Sequence, residues 1–105
     1  MTEALKATGL TAEDLADITT IVRAFPQIKQ VRLFGSRAEG HHQVMSDVDL
    51  VVYGLSEADF STVQSLQVAF ENSQFPYFVD IVNYAAITDS DFRQRVDKYS
   101  IDLLI

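Results

Sequence analysis

Apolar residues recur along this chain in blocks of helical and extended spacing. Leu15, Ile18, Ile21, Val22 and Phe25 stand at helical intervals, which predicts an amphipathic helix over about residues 11–25. Thr11 is its expected N-cap, and Glu13 and Asp14 follow where carboxylates favour the positive end of a helix. Pro26 closes it, because proline cannot donate the next backbone bond. Val31 to Phe34 reads as a short strand ended by Gly35, and Ser36 to Glu39 as a short helix capped near Ser36. Gly40 to Met45 is a polar loop. Asp47 to Tyr53 predicts a second strand, whose Val48, Leu50, Val51 and Val52 suit burial on both faces.

Gly54 breaks that strand. Ser56 and Asp59 stand at the two positions of a capping box. The helix they would open carries Phe60, Val63, Leu66 and Phe70 to about Asn72. After a turn at Gln74 to Pro76, Tyr77 to Val82 reads as a third strand with Asp80 inside it. A last helix is expected from about Asp89 to Tyr99, capped by Thr88, with Ile101 to Ile105 an edge strand or tail. The alternation of strand and helix predicts one α/β (α+β) domain over residues 1–105, with helices packed on a sheet.

Composition narrows the picture. A chain of 105 residues fits one compact domain and leaves little room for a second lobe to grip a substrate. The net charge of −7 argues against binding DNA or RNA through the phosphate backbone. It does not exclude a nucleotide, because divalent ions can invert the local electrostatics. The absence of cysteine excludes disulfides and thiolate metal sites. Met1 to Leu10 lacks the apolar core of a signal peptide, and no apolar run reaches membrane-spanning length. A cytoplasmic protein without a membrane anchor is the expectation.

The candidate chemistry lies in a spacing. Gly35-Ser36 is followed, after ten residues, by Asp47-Val48-Asp49. A Gly-Ser turn can present backbone N–H groups to phosphates. Asp47 and Asp49, two apart on a strand, point to the same side and can share a hard metal ion. Asp80 lies in an apolar strand, where an isolated carboxylate must be paired, protonated or on a metal. It joins the other two if the second and third strands are neighbours. Pairing with Arg32 or Arg37 is the structural alternative. Three carboxylates and such a turn are the parts of metal-assisted nucleotidyl transfer.

Leu33-Phe34-Gly35-Ser36-Arg37-Ala38-Glu39-Gly40, Ser46-Asp47-Val48-Asp49-Leu50-Val51-Val52 and Val79-Asp80-Ile81-Val82 together resemble the DNA polymerase β nucleotidyltransferase superfamily in its minimal (MNT) branch. The likeness runs from about residue 11 to the last helix. It implies the nucleotidyltransferase fold, with a small mixed sheet and flanking helices. It implies that Gly35 and Ser36 bind the phosphates of ATP and that Asp47, Asp49 and Asp80 hold two Mg²⁺ ions. It further implies a HEPN-domain partner: in such toxin–antitoxin pairs the nucleotidyltransferase is the antitoxin and transfers AMP to a tyrosine of the toxin. That partner would need an exposed apolar patch, expected near the last helix and Ile101 to Ile105. A homo-oligomer stays open. One position departs from the family. Many members carry a basic residue where Glu39 stands, and an acidic one would weaken triphosphate binding unless it turns away. This departure motivates the alternative of a nucleotide- or partner-binding module without turnover.

Arg37 has two readings, a phosphate contact or a salt bridge to Asp47 or Asp49. His41 and His42 read as solvated loop residues rather than metal ligands. Tyr53, Tyr77, Tyr84 and Tyr99 read as packing residues rather than base-stacking ones. Arg93, Arg95 and Lys98 read as a solvated face of the last helix, with contact to an acidic partner the alternative.

Overall fold

The computed structural model describes residues 2–103. Its elements are α1 (Glu3–Lys6), α2 (Ala12–Arg23), β1 (Gln30–Phe34), α3 (Gly35–Glu39), β2 (Val48–Tyr53), α4 (Phe60–Glu71), β3 (Val79–Asn83), α5 (Ser90–Tyr99) and β4 (Ile101–Asp102). A 3-10 turn, Tyr84–Ala86, follows β3. The four strands form one sheet in the order β3-β2-β1-β4. β1 runs antiparallel to β2 and β4, while β2 and β3 are parallel. The sheet is therefore mixed, as the family resemblance implies, and helices pack on it, as the alternation of elements predicts.

The pleat decides what each face holds. Val48, Leu50 and Val52 of β2 alternate onto one side, where they pack with Ile18 and Val22 of α2 and Leu66 and Phe70 of α4. Val51 turns to the other side and meets Ile87 and Val96, the latter on α5. Val31, Leu33, Leu50, Val52 and Leu66 are fully buried. Each such side chain contributes about 1.5–3 kcal/mol relative to an exposed one. β2 is apolar on both faces because it is central in the sheet and covered on both sides.

Caps fix the ends of the helices, and here three expectations are corrected. The first is at α3, which starts at Gly35 after Phe34 with no side-chain cap, so that Ser36 lies inside the helix. α2 starts as predicted: Thr11 Oγ1 accepts from Asp14 N (3.0 Å) and the Asp14 carboxylate accepts from Thr11 N (2.9 Å). α4, however, is capped by Asp59 and not Ser56. The Asp59 carboxylate accepts from Thr62 N at 3.0 Å and from Thr62 Oγ1 at 2.8 Å. Two acceptor oxygens outcompete one hydroxyl there, and Ser56 instead offers its carbonyl to Asn83 Nδ2 (2.8 Å). α5 is likewise capped by Asp89 rather than Thr88, with Asp89 Oδ1 accepting from Asp91 N and Phe92 N. β3 begins at Val79, two residues later than expected, and Ile101–Asp102 forms the far edge strand. Leu104 and Ile105, which the sequence reading included there, lie outside the described residues.

Candidate active site

Strand register gathers the predicted residues. Phe34 pairs with Asp49 across the antiparallel ladder, and Asp49 pairs with Asp80 across the parallel one. The three sit side by side at one end of the sheet. Val48, Leu50, Val79 and Ile81 face the α2–α4 core, so the alternating Asp49 and Asp80 face the α5 side. Asp47 stands just before β2, two residues from Asp49. Asp47 and Asp80 are exposed, and Asp49 is half-buried between them.

The electrostatics follow from that order. Burial first, then Asp80 and Asp47, raise the Asp49 carboxyl to about 6. Two like charges and partial desolvation disfavour a third negative charge between them. Asp80 is thus no buried carboxylate that needs an arginine. Arg32 is committed elsewhere: its Nε donates to Ser100 Oγ (2.7 Å) and its Nη2 to Ser100 O (2.9 Å). Among the described residues, no three His, Asp or Glu side chains have already converged into a metal cage. The donors are of the right kind all the same. Oxygen-only ligands suit a hard divalent ion, and a cation would relieve the repulsion that raises Asp49.

Gly35 closes the site from the other strand. It takes φ +76°, and a Cβ there would stand 2.2 Å from Asp49 Oδ2. Only glycine allows the chain to turn from β1 into α3 this close to a carboxylate. Ser36 follows at the start of α3. A hollow of about 240 Å³ opens beside the turn, lined by Phe34, Gly35, Ser36, Phe92, Arg95 and Tyr99 among others. A larger apolar groove of about 590 Å³ lies along β3 and α4, with Phe60, Gln67, Ile81 and Phe92 in its wall. The smaller hollow holds the polar turn, so it fits the chemistry better despite its size.

Arg37 meets neither sequence expectation. It is 2% exposed. Its Nε, Nη1 and Nη2 donate to the carbonyls of Ser46 (3.1 Å), Thr8 (2.9 Å) and Val44 (3.1 Å). Its guanidinium also lies 4.5 Å from the Tyr77 ring centre. Arg37 is a buried brace between the N-terminal segment and the loop before Asp47, with its donors on backbone carbonyls rather than on Asp47 or Asp49. The concern over Glu39 also changes. Arg95 of α5 grips its carboxylate, with Nη2 at 2.6 Å and Nε at 3.0 Å. His41 stands 3.6 Å from the same carboxylate. The Arg95 bond leads the causes that hold Glu39 below the usual carboxylate range.

Of the remaining candidates, His41 is exposed as predicted. His42 is tucked near Gly9, with its Nδ1 buried and no hydrogen-bond partner among the described residues. Tyr53 stacks on Tyr84 with ring centres 4.7 Å apart, a packing role. Of the segment expected to carry an apolar patch, Tyr99 of α5 is exposed and Leu103 is buried, while Leu104 and Ile105 lie outside the described residues. The other large apolar side chains exposed among the described residues are Val44, Met45, Phe60, Val68 and Phe78.

The polymerase β nucleotidyltransferase family matches residues 16–104. The chain belongs to that family. It falls in the minimal branch, and its enzyme class is nucleotidyltransferase. A relative from Haemophilus influenzae, named "Probable protein adenylyltransferase MntA", is 34% identical over 87 residues, 83% of this chain and 75% of its own length. The fold is similar to a crystal structure of a toxin–antitoxin pair with AMP-PNP, at TM-score 0.69 and 23% identity over 85% of this chain and 71% of that one. It is also similar to the toxin–antitoxin structure MntA–HepT, at TM-score 0.59 and 20% identity over 89% and 71% of the two chains.

Proposed function

We propose that this nucleotidyltransferase moves AMP from ATP to a hydroxyl of a partner protein, a tyrosine of a HEPN toxin, and so acts as the cytoplasmic antitoxin of a pair. The observation that carries the reading is Asp49, held between Asp47 and Asp80 and against Gly35. The relative named as an adenylyltransferase and the similar toxin–antitoxin structures support the partner.

Asp47, Asp49 and Asp80 would hold Mg²⁺, two ions by family likeness. Bound there, the metal supplies charge neutralisation for the triphosphate and the leaving pyrophosphate. Gly35 and Ser36 bind phosphate oxygens through the turn. Asp80, exposed on the edge strand, is the carboxylate an incoming acceptor meets first. It orients the acceptor hydroxyl and takes its proton. The acceptor oxygen bonds to the α-phosphorus, the bond from that phosphorus to the bridging oxygen breaks, and pyrophosphate leaves. Glu39 and the lack of a substrate lobe motivate the alternative of binding without turnover, and the pairing of Glu39 with Arg95 removes the first of these.

The test is transfer of label from α-labelled ATP to candidate HEPN-domain partner proteins. Wild type should label one of them, and an Asp47→Asn, Asp49→Asn double variant should not. Equal labelling by the two would defeat the enzymatic reading. Binding of ATP without release of pyrophosphate would leave a binding module.

A further inference from the structure

The cation that this site lacks at position 39 arrives from another helix. Phe92, Arg95, Val96 and Tyr99 lie at i, i+3, i+4 and i+7 on α5, so they share one face. That face packs toward the Gly35-Ser36 turn. Phe92 meets Phe34 edge-on at 5.7 Å, and Val96 is buried. Arg95 is thereby brought into the wall of the hollow that Gly35 and Ser36 also line.

Its orientation is the informative part. Arg95 turns Nε and Nη2 onto the Glu39 carboxylate. Among the described residues no hydrogen bond engages its Nη1, so the outer fork of the guanidinium remains. Glu39 is only 13% exposed, whereas Arg95 is 61% exposed. The acid is sequestered beneath and the cation is presented above. A planar guanidinium held by one edge still offers the other edge to an anion.

We propose that Arg95 binds the triphosphate of the nucleotide and that Glu39 is the positioning residue that holds it there. The inference rests on the nucleotide-transfer reading and adds to it a residue outside the Gly-Ser and Asp-x-Asp segments. It also inverts the meaning of Glu39. As a lone acid beside phosphates, Glu39 would oppose binding. As the anchor of Arg95, it favours binding.

The experiment is calorimetry of wild type, Arg95→Ala, Arg95→Lys, Glu39→Gln and Arg23→Ala with α,β-methylene-ATP and Mg²⁺, and separately with tripolyphosphate and Mg²⁺. Arg23→Ala removes one positive charge from α2, on the other face of the sheet, and controls for net charge. Arg95→Ala should weaken both probes by about tenfold or more, the scale of a charge-assisted contact. Arg95→Lys should recover part of that, keeping the charge without the fork. Glu39→Gln should weaken both probes by about threefold or more, although it removes a negative charge. Arg23→Ala should match wild type, and thermal melts should show every variant folded.

Unchanged affinity in Arg95→Ala overturns the proposal, as does tighter binding by Glu39→Gln. Loss of α,β-methylene-ATP with tripolyphosphate unaffected also overturns it, because Arg95 would then serve the base or sugar. If wild type binds neither probe, the nucleotide-transfer reading itself fails and takes this inference with it.

Discussion

Gly35 lies against the Asp49 carboxylate so closely that each position constrains the other. A Cβ on residue 35 would stand 2.2 Å from Asp49 Oδ2 and 3.0 Å from its Cγ. The cause is register: Phe34 pairs with Asp49, so the chain must leave β1 directly beside that side chain. It leaves with φ +76°, a region that costs an L side chain about 1–2 kcal/mol.

Gly35→Ala should therefore destabilise the fold by about 2–4 kcal/mol, the sum of backbone strain and overpacking. Nucleotide transfer should be lost as Asp49 is displaced. In the Gly35→Ala, Asp49→Ala double variant the clash disappears while the strained φ stays. Urea denaturation of the full cycle should show a favourable coupling of about 1–2 kcal/mol. Strict additivity would mean that Gly35 is needed for its φ alone.

Asp49→Asn should stabilise the metal-free protein at neutral pH. The Asp49 carboxyl sits at about 6, above its ordinary value. Its ionisation thus costs stability above pH 6, and the cost is relieved as pH falls through 6 toward the ordinary carboxylate range near 4. Asparagine avoids that cost at every pH. With chelator at pH 7.5 the gain should be on the order of 1 kcal/mol after discounting for solvent screening, or about 4–8 °C in melting temperature. At pH 4 the variant and wild type should converge. A lower melting temperature for Asp49→Asn at pH 7.5 would mean that the charge is stabilised by a cationic partner.

The same titration predicts the shape of the activity profile. On the proposed mechanism transfer needs Asp49 ionised, so labelling should rise with pH on the acid side of about 6. Raising Mg²⁺ should move that limb to lower pH, because a bound cation favours the ionised carboxylate. Chelation should abolish labelling at every pH. A limb indifferent to Mg²⁺ concentration would place the titrating group outside the metal site.

Local signals in the sequence carried the elements and the carboxylates. The helical spacing of Ile18 and Val22, the Thr11 N-cap and the doubly apolar β2 each act over a few residues, and each is seen in the fold. Asp49 and Asp80 could be related because both strands were legible and needed only to be neighbours. What stayed hidden depends on partners far apart in the chain. Arg37 reads as a motif-flanking cation, yet its acceptors are the carbonyls of Thr8, Val44 and Ser46. Arg95 reads as a solvated face because nothing near it announces Glu39, 56 positions away. The helical face it shares with Phe92, Val96 and Tyr99 was the available hint, but not what that face meets.

Arg37 offers a direct contrast between stability and ligand binding. Its guanidinium is buried, and three carbonyls depend on it. Arg37→Ala should cost about 3–5 kcal/mol, because it strands buried acceptors and unties the loop before Asp47. Arg37→Lys should lose nearly as much, since one ammonium cannot span three carbonyls and also stack on Tyr77. At low temperature, where Arg37→Lys is still folded, its KM for ATP should stay within about threefold of wild type, as expected when no transition-state or ground-state phosphate contact is removed. A direct phosphate role would give the opposite result, a modest change in melting temperature with a large rise in KM. Melting curves and ATP titrations on the same preparation decide between the two, because burial and ligand contact act on different quantities.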